Sequence, residues 1–142
     1  MFLTNEIRKE ALMWQAEQQE LLMTLARIPA PSNEEHRRAE FCRNWLMQNG
    51  VSGVYMDDAL NVICPFGMTD SNDVVVFAAH SDVVFPDQEE LPLEVRDGKI
   101  FCPGIGDDTA SVAALMMAAR FIARNGLTPK DIGVLLVINS GE

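Results

Sequence analysis

Apolar residues recur at helical spacing at Ile7, Ala11, Trp14, Leu21, Leu25 and Ile28, interrupted only at Gln18, which predicts one long amphipathic helix from Asn5 to Ile28. The prolines of Ile28-Pro29-Ala30-Pro31 should end it, since each disfavours helical geometry in the residue before it. A second helix is expected to start at an N-cap on Ser32 or Asn33, with Glu34 and Glu35 in its first turn opposing the dipole. Its apolar face is Ala39, Cys42, Trp45 and Leu46, and it should run to about Gln48 and stop at Asn49-Gly50. His36, beside Arg37 and Arg38, reads as an ordinary exposed histidine.

The pattern then shortens. Val51–Met56 and Leu60–Pro65 are two short strands of a hairpin around Asp57-Asp58-Ala59, where the aspartates serve the turn by bonding their own backbone. After a polar loop over Gly67–Asn72, Val74–Asp82 (VVVFAAHSD) is a continuous apolar run that stops abruptly in His80, Ser81 and Asp82. It reads as a fully buried strand with chemistry at its carboxyl end. The period of two would turn His80 and Asp82 to the same side, where a carboxylate can orient an imidazole. An acidic loop with Asp87, Glu89 and Glu90 reads as a solvated face, and Leu93–Arg96 and Ile100–Cys102 flank Asp97-Gly98, a strong hairpin signal.

Pro103-Gly104-Ile105-Gly106-Asp107-Asp108 precedes an alanine-rich helix, TASVAALMMAARFIARNG, closed by Asn125-Gly126. Glycines before a helix can cradle phosphate, but paired aspartates would repel it. Asp107 or Asp108 is expected as the N-cap; two adjacent carboxylates can also present one to the cap and the other to a metal, with Gly104 and Gly106 letting the backbone approach a neighbouring strand end. Ile132–Ile138 is a second apolar run, expected as a buried strand, ending in Asn139, Ser140, Gly141 and Glu142. Strand, helix and strand in that order predict a crossover and a parallel pairing.

With 142 residues and 48% hydrophobic content the chain is expected to form one domain with a real core. The formal charge of −10, from 21 acidic and 11 basic residues, argues against nucleic acid or an anionic membrane as partner. Cys42, Cys64 and Cys102 are widely spaced, form no zinc-knuckle pattern, and read as reduced core residues. No stretch reaches the roughly 18 apolar residues of a membrane span. The N-terminal charges argue against a signal peptide, so the expected location is the cytoplasm.

His80/Asp82, Asp107/Asp108 and Glu142 thus fall at strand ends or a helix start that one sheet edge can gather. An imidazole and several carboxylates form a ligand set for zinc or a related divalent ion. The motifs LARIPAPSNEE, DDALNVI, HSDVVFP, PGIGDDTASVAALMMAA and the apolar strand ending in SGE resemble, in order and spacing, one family. It is the zinc metallopeptidase family of aminoacylases, glutamate carboxypeptidases, bacterial tripeptidases and succinyl-diaminopimelate desuccinylases.

The resemblance implies an α/β fold, a three-layer, mixed and largely parallel sheet flanked by helices. Residues 1–142 would be the N-terminal portion of the catalytic domain, without the lid or dimerisation domain and the C-terminal part. It implies metal ligation by His80 and Asp107, with Asp107 bridging two ions, a His80-orienting role for Asp82, and a general-base role for Glu142. The implied cofactor is zinc, two ions per complete site, with cobalt or manganese as substitutes, and only part of that site is present. The implied substrate is a peptide or N-acyl amino acid, self-association stays open, and the chain alone is expected to be inactive. Thr109 departs from the family, which often has lysine there. A competing expectation is a non-catalytic module that associates through an open sheet edge.

Overall fold

The computed structural model describes residues 4–70 and 73–141. The chain begins with α1 (Asn5–Met13) and α2 (Gln15–Arg27). The expected single helix is therefore two, parted at Trp14, whose backbone sits at φ −92° and ψ 2°. Packing explains the break. The Trp14 ring meets Phe121 edge-on at 5.7 Å and lies under the Arg120 guanidinium at 4.6 Å, whereas α1 itself buries no residue. Tertiary contact at Trp14 thus overrides the periodic pattern. Leu21, Leu25 and Ala26 of α2 enter the core.

Helix α3 (His36–Gln48) starts later than the capping pattern suggested. Glu35 occupies the N-cap position without a side-chain cap bond, so neither Ser32 nor Asn33 caps the helix. Ser32 is drawn away by Asp82, to which its hydroxyl donates at 2.6 Å, and Asn33 stands at φ 70° in the left-handed region. The helix closes as expected at Asn49, followed by Gly50 at φ 85°. His36 is exposed.

Strands β1 (Tyr55–Met56) and β2 (Val62–Phe66) pair antiparallel around the Asp57 turn. Asp57 Oδ1 accepts from the amides of Ala59 and Asn61, and its Oδ2 accepts from the Asn61 side chain. The Asn61 bonds hold the Asp57 carboxyl below its ordinary pKa. This is turn chemistry, as expected. Strand β3 (Asp73–His80) follows, then the β4–β5 hairpin (Glu94–Arg96 and Lys99–Phe101), with Asp97 and Gly98 at φ 51° and 70° in its turn. Helix α4 (Ala110–Arg124) and strand β6 (Ile132–Asn139) complete the described elements.

The fold is mixed α/β, with sheet order β1-β2-β6-β3. β6 is central, antiparallel to β2 and parallel to β3, so the strand–helix–strand crossover expected through α4 is present. Alternation sends Val62 and Cys64 of β2 and Leu136 and Ile138 of β6 into one core with Leu25, Cys42, Leu46, Val112 and Met116 of the helices. The reading of Val74–Asp82 as a buried central strand is corrected. β3 is an edge strand of the described sheet and Val74–Ala78 are exposed, Phe77 by 57%. The run of valines reports a capacity to be covered on both faces, which the described elements do not use. All three cysteines are free, Cys42 and Cys64 buried and Cys102 partly so. Among the described residues no helix is long and apolar enough to cross a membrane.

Candidate metal centre

The parallel pairing of β3 with β6 sets His80 opposite Asn139, so the two strands end together. Beyond that edge the backbone leaves strand geometry. Ser81 donates its amide to Asn139 O at 2.8 Å, and the Val83 amide bonds Ala30 O at 2.8 Å, which anchors the Asp82 segment against the chain after α2. Asp82 therefore returns under His80. Its Oδ1 lies 3.1 Å from His80 Nδ1, and its Oδ2 accepts the Ser32 hydroxyl. The Asp82 side chain is 4% exposed and that of His80 15%.

The other imidazole nitrogen faces the segment before α4. His80 Nε2 stands 3.2 Å from Asp107 Oδ1, and the Asp107 side chain is open to solvent at 89% exposure. Gly104 makes that approach. It sits at φ 70°, and a Cβ there would fall 2.3 Å from Val83 Cγ1, so only glycine lets this segment press against the strand end. Gly106 meets no such constraint, since a Cβ there would meet nothing within 4 Å. Asp107 and Asp108 adopt non-helical backbone angles and are joined by a cis peptide bond, while Thr109 holds the N-cap position of α4. The expectation that one aspartate caps α4 is thus overturned, because Thr109 occupies the N-cap position and no side-chain cap bond is made there.

His80, Asp82 and Asp107 line one cleft of about 420 Å³, together with Ser32 and Cys102. Glu142, expected as general base, lies outside the described residues. Three polar residues were missed. Asn61 Oδ1 accepts the Ser140 amide at 3.0 Å, while the Ser140 hydroxyl donates to Ala59 O, so the Asp57 turn fastens the end of β6. Glu35 and Arg38 are each only 1% exposed. A sequence signal existed for these two: positions 35, 38, 42 and 46 lie on one face of α3, so both charges belong to its apolar stripe.

A carboxylate only accepts, so in this arrangement each ring nitrogen of His80 faces an acceptor; with a cation between Nε2 and Asp107 instead, Asp82 would keep the proton on Nδ1 and Nε2 would offer its lone pair. That nitrogen and an Asp107 oxygen 3.2 Å away suit two donors sharing one tetrahedral cation, for which bonds of about 2.0–2.1 Å imply a donor separation of about 3.3 Å. The donor chemistry fits zinc to that extent. Among the described residues, no group of three or more histidine, cysteine or carboxylate side chains is placed to hold a metal ion together.

Residues 76–142 match the sequence model of peptidase family M20/M25/M40. Aminopeptidase PepT from Bacillus cereus superposes with a TM-score of 0.70 at 23% identity, covering 90% of this chain and 37% of that one. A tripeptidase from Staphylococcus aureus gives a TM-score of 0.69 at 20% identity, over 89% of this chain and 36% of the other. Human carnosine dipeptidase 1 gives 0.69 at 18% identity, over 92% and 33%. The chain spans about a third of the length of these structures, and at such identities the likeness establishes the fold.

Proposed function

From the membership of residues 76–142 in peptidase family M20/M25/M40, we propose that the chain carries part of a metal-dependent hydrolytic site that cleaves peptide or N-acyl amide bonds. The observation that carries this reading is the Asp82–His80–Asp107 line, one imidazole held between two carboxylates at 3.1 and 3.2 Å. His80 and Asp107 would hold a divalent cation, zinc or in its place cobalt or manganese, with Asp107 able to bridge a second ion. When bound, the cation supplies polarisation of the scissile carbonyl and lowers the pKa of an attacking water.

The protein side chains do the rest. Asp82 keeps the imidazole in the tautomer and orientation that present Nε2, and Ser32 occupies the second oxygen of Asp82. Glu142 takes a proton from the water and passes it to the leaving amine. His80 and Asp107 are fewer than the three or four protein ligands of a usual zinc site, so the chain by itself does not turn over. The location proposed is the cytoplasm.

Calorimetric titration of zinc, run beside hydrolysis of a dipeptide and N-acyl amino acid panel, tests this. Weak zinc binding lost in His80→Ala, with no hydrolysis, is expected. Turnover by the chain alone would overturn its inactivity, and binding that survives His80→Ala would overturn the site. A second reading, association through the sheet, is favoured by the exposed edge strand β3. Light scattering that shows a monomer at high concentration would remove it.

A further inference from the structure

Arg38 is a buried cation that donates its hydrogen bonds to uncharged oxygens. Its Nε donates to Ile28 O at 3.1 Å and its Nη2 to the same carbonyl. Its Nη1 donates to Ser81 O at 2.8 Å and to Thr109 Oγ1 at 3.2 Å. The Thr109 hydroxyl in turn donates to Gly104 O at 2.8 Å. Burial lowers the Arg38 pKa, offset by nearby Cys42, Cys102 and Asp82, yet a guanidinium stays charged in proteins. A buried charge of this kind costs stability relative to an apolar side chain of similar volume.

What an apolar residue at position 38 would lack is the set of bonds. Ser81 lies between His80 and Asp82, Thr109 lies just beyond the Asp107-Asp108 pair, and Gly104 begins the turn that delivers Asp107. At the N-cap of the same helix, Glu35 Oε1 accepts from the Asn33 amide at 2.9 Å and from the Gly141 amide at 3.0 Å, next to Glu142. Three segments far apart in sequence are thus bonded to two side chains one helical turn apart.

We propose that Arg38 and Glu35 are positioning residues: the start of α3 is a brace that sets the spacing between the His80–Asp82 strand end, the Asp107 segment and the Gly141 strand end. The brace stands on the hydrogen bonds alone, and its consequence for metal affinity rests on the hydrolase reading above.

The test compares Arg38→Met, Arg38→Lys, Glu35→Ala and Glu35→Gln with Leu46→Ala, a core truncation in the same helix. It uses amide hydrogen exchange without metal and zinc titration read from the His80 ring signals. In Arg38→Met, exchange at Ser81 and Thr109 should rise at least about tenfold above that in Leu46→Ala, and zinc affinity should fall about 10–100-fold. Arg38→Lys should lie between, because one ammonium cannot span all three acceptors. Glu35→Ala should expose the Gly141 amide, and Glu35→Gln, which keeps an acceptor oxygen, should restore much of its protection.

Exchange that rises no further at these amides than in Leu46→Ala overturns the brace, as does unchanged zinc affinity in Arg38→Met. If Arg38→Met does not fold, Arg38→Lys and the Glu35 pair decide by the same readings. If wild-type His80 does not respond to zinc, the hydrolase reading fails while the exchange measurements still decide the brace.

Discussion

Asp82 holds His80 by the ring nitrogen that faces away from Asp107: Oδ1 to Nδ1 is 3.1 Å, and the opposite nitrogen is 3.2 Å from Asp107. The 4% exposure of the Asp82 side chain keeps that bond out of water, so it fixes the angle of the ring. Asp82→Ala should therefore weaken zinc binding about 10–100-fold without removing a direct ligand. Calorimetric affinities of wild type and variant check this, and equal affinities would show that His80 needs no orienting partner.

Gly104 and Gly106 flank the same turn and should respond oppositely. Alanine at 104 must adopt φ 70° and place its Cβ 2.3 Å from Val83 Cγ1, where Val83 is buried and cannot yield. A loss of about 2–4 kcal/mol is expected from left-handed strain and overpacking together. Gly106→Ala, with open space and no positive φ, should stay within about 0.5 kcal/mol of wild type. Urea denaturation of the two variants provides the comparison.

Burial pushes the Cys42 and Cys64 thiols up to about 12, from an ordinary value of 9.0. The folded state then holds protons that the unfolded state releases, so their stabilisation is complete below pH 9 and declines as pH rises toward 12. Stability measured across that range should fall, and a Cys42→Ala, Cys64→Ala double variant should show a flatter slope. In the native protein at pH 8, iodoacetamide should modify partly exposed Cys102 and spare the other two, as peptide mass spectrometry would show.

The residues that line this cleft were legible in the sequence, because they sit where apolar runs stop. His80 and Asp82 stand out as polar groups at the end of an apolar run and Asp107 as one before an alanine-rich helix, and the close approach of Gly104 to Val83 brings them together. The Asp57 and Asp97-Gly98 turns were equally local and equally readable. What was hidden depends on distant partners. Ser32 looks like a cap until Asp82 claims its hydroxyl, and Trp14 looks like one position of a continuous helix until Phe121 and Arg120 claim its ring. The exposure of β3 depends on what lies beside it, which its own sequence does not encode.

The chain has two histidines, and this makes the decisive measurement simple. His36 is exposed at the start of α3, while His80 stands between Asp82 and Asp107. Zinc titrated into the chain and followed through the ring nitrogen signals of both should shift His80 saturably and leave His36 in place, and Asp107→Ala should weaken that response at least about tenfold. Equal responses from both histidines, none from either, or an Asp107→Ala titration identical to wild type would contradict a metal centre at this strand edge.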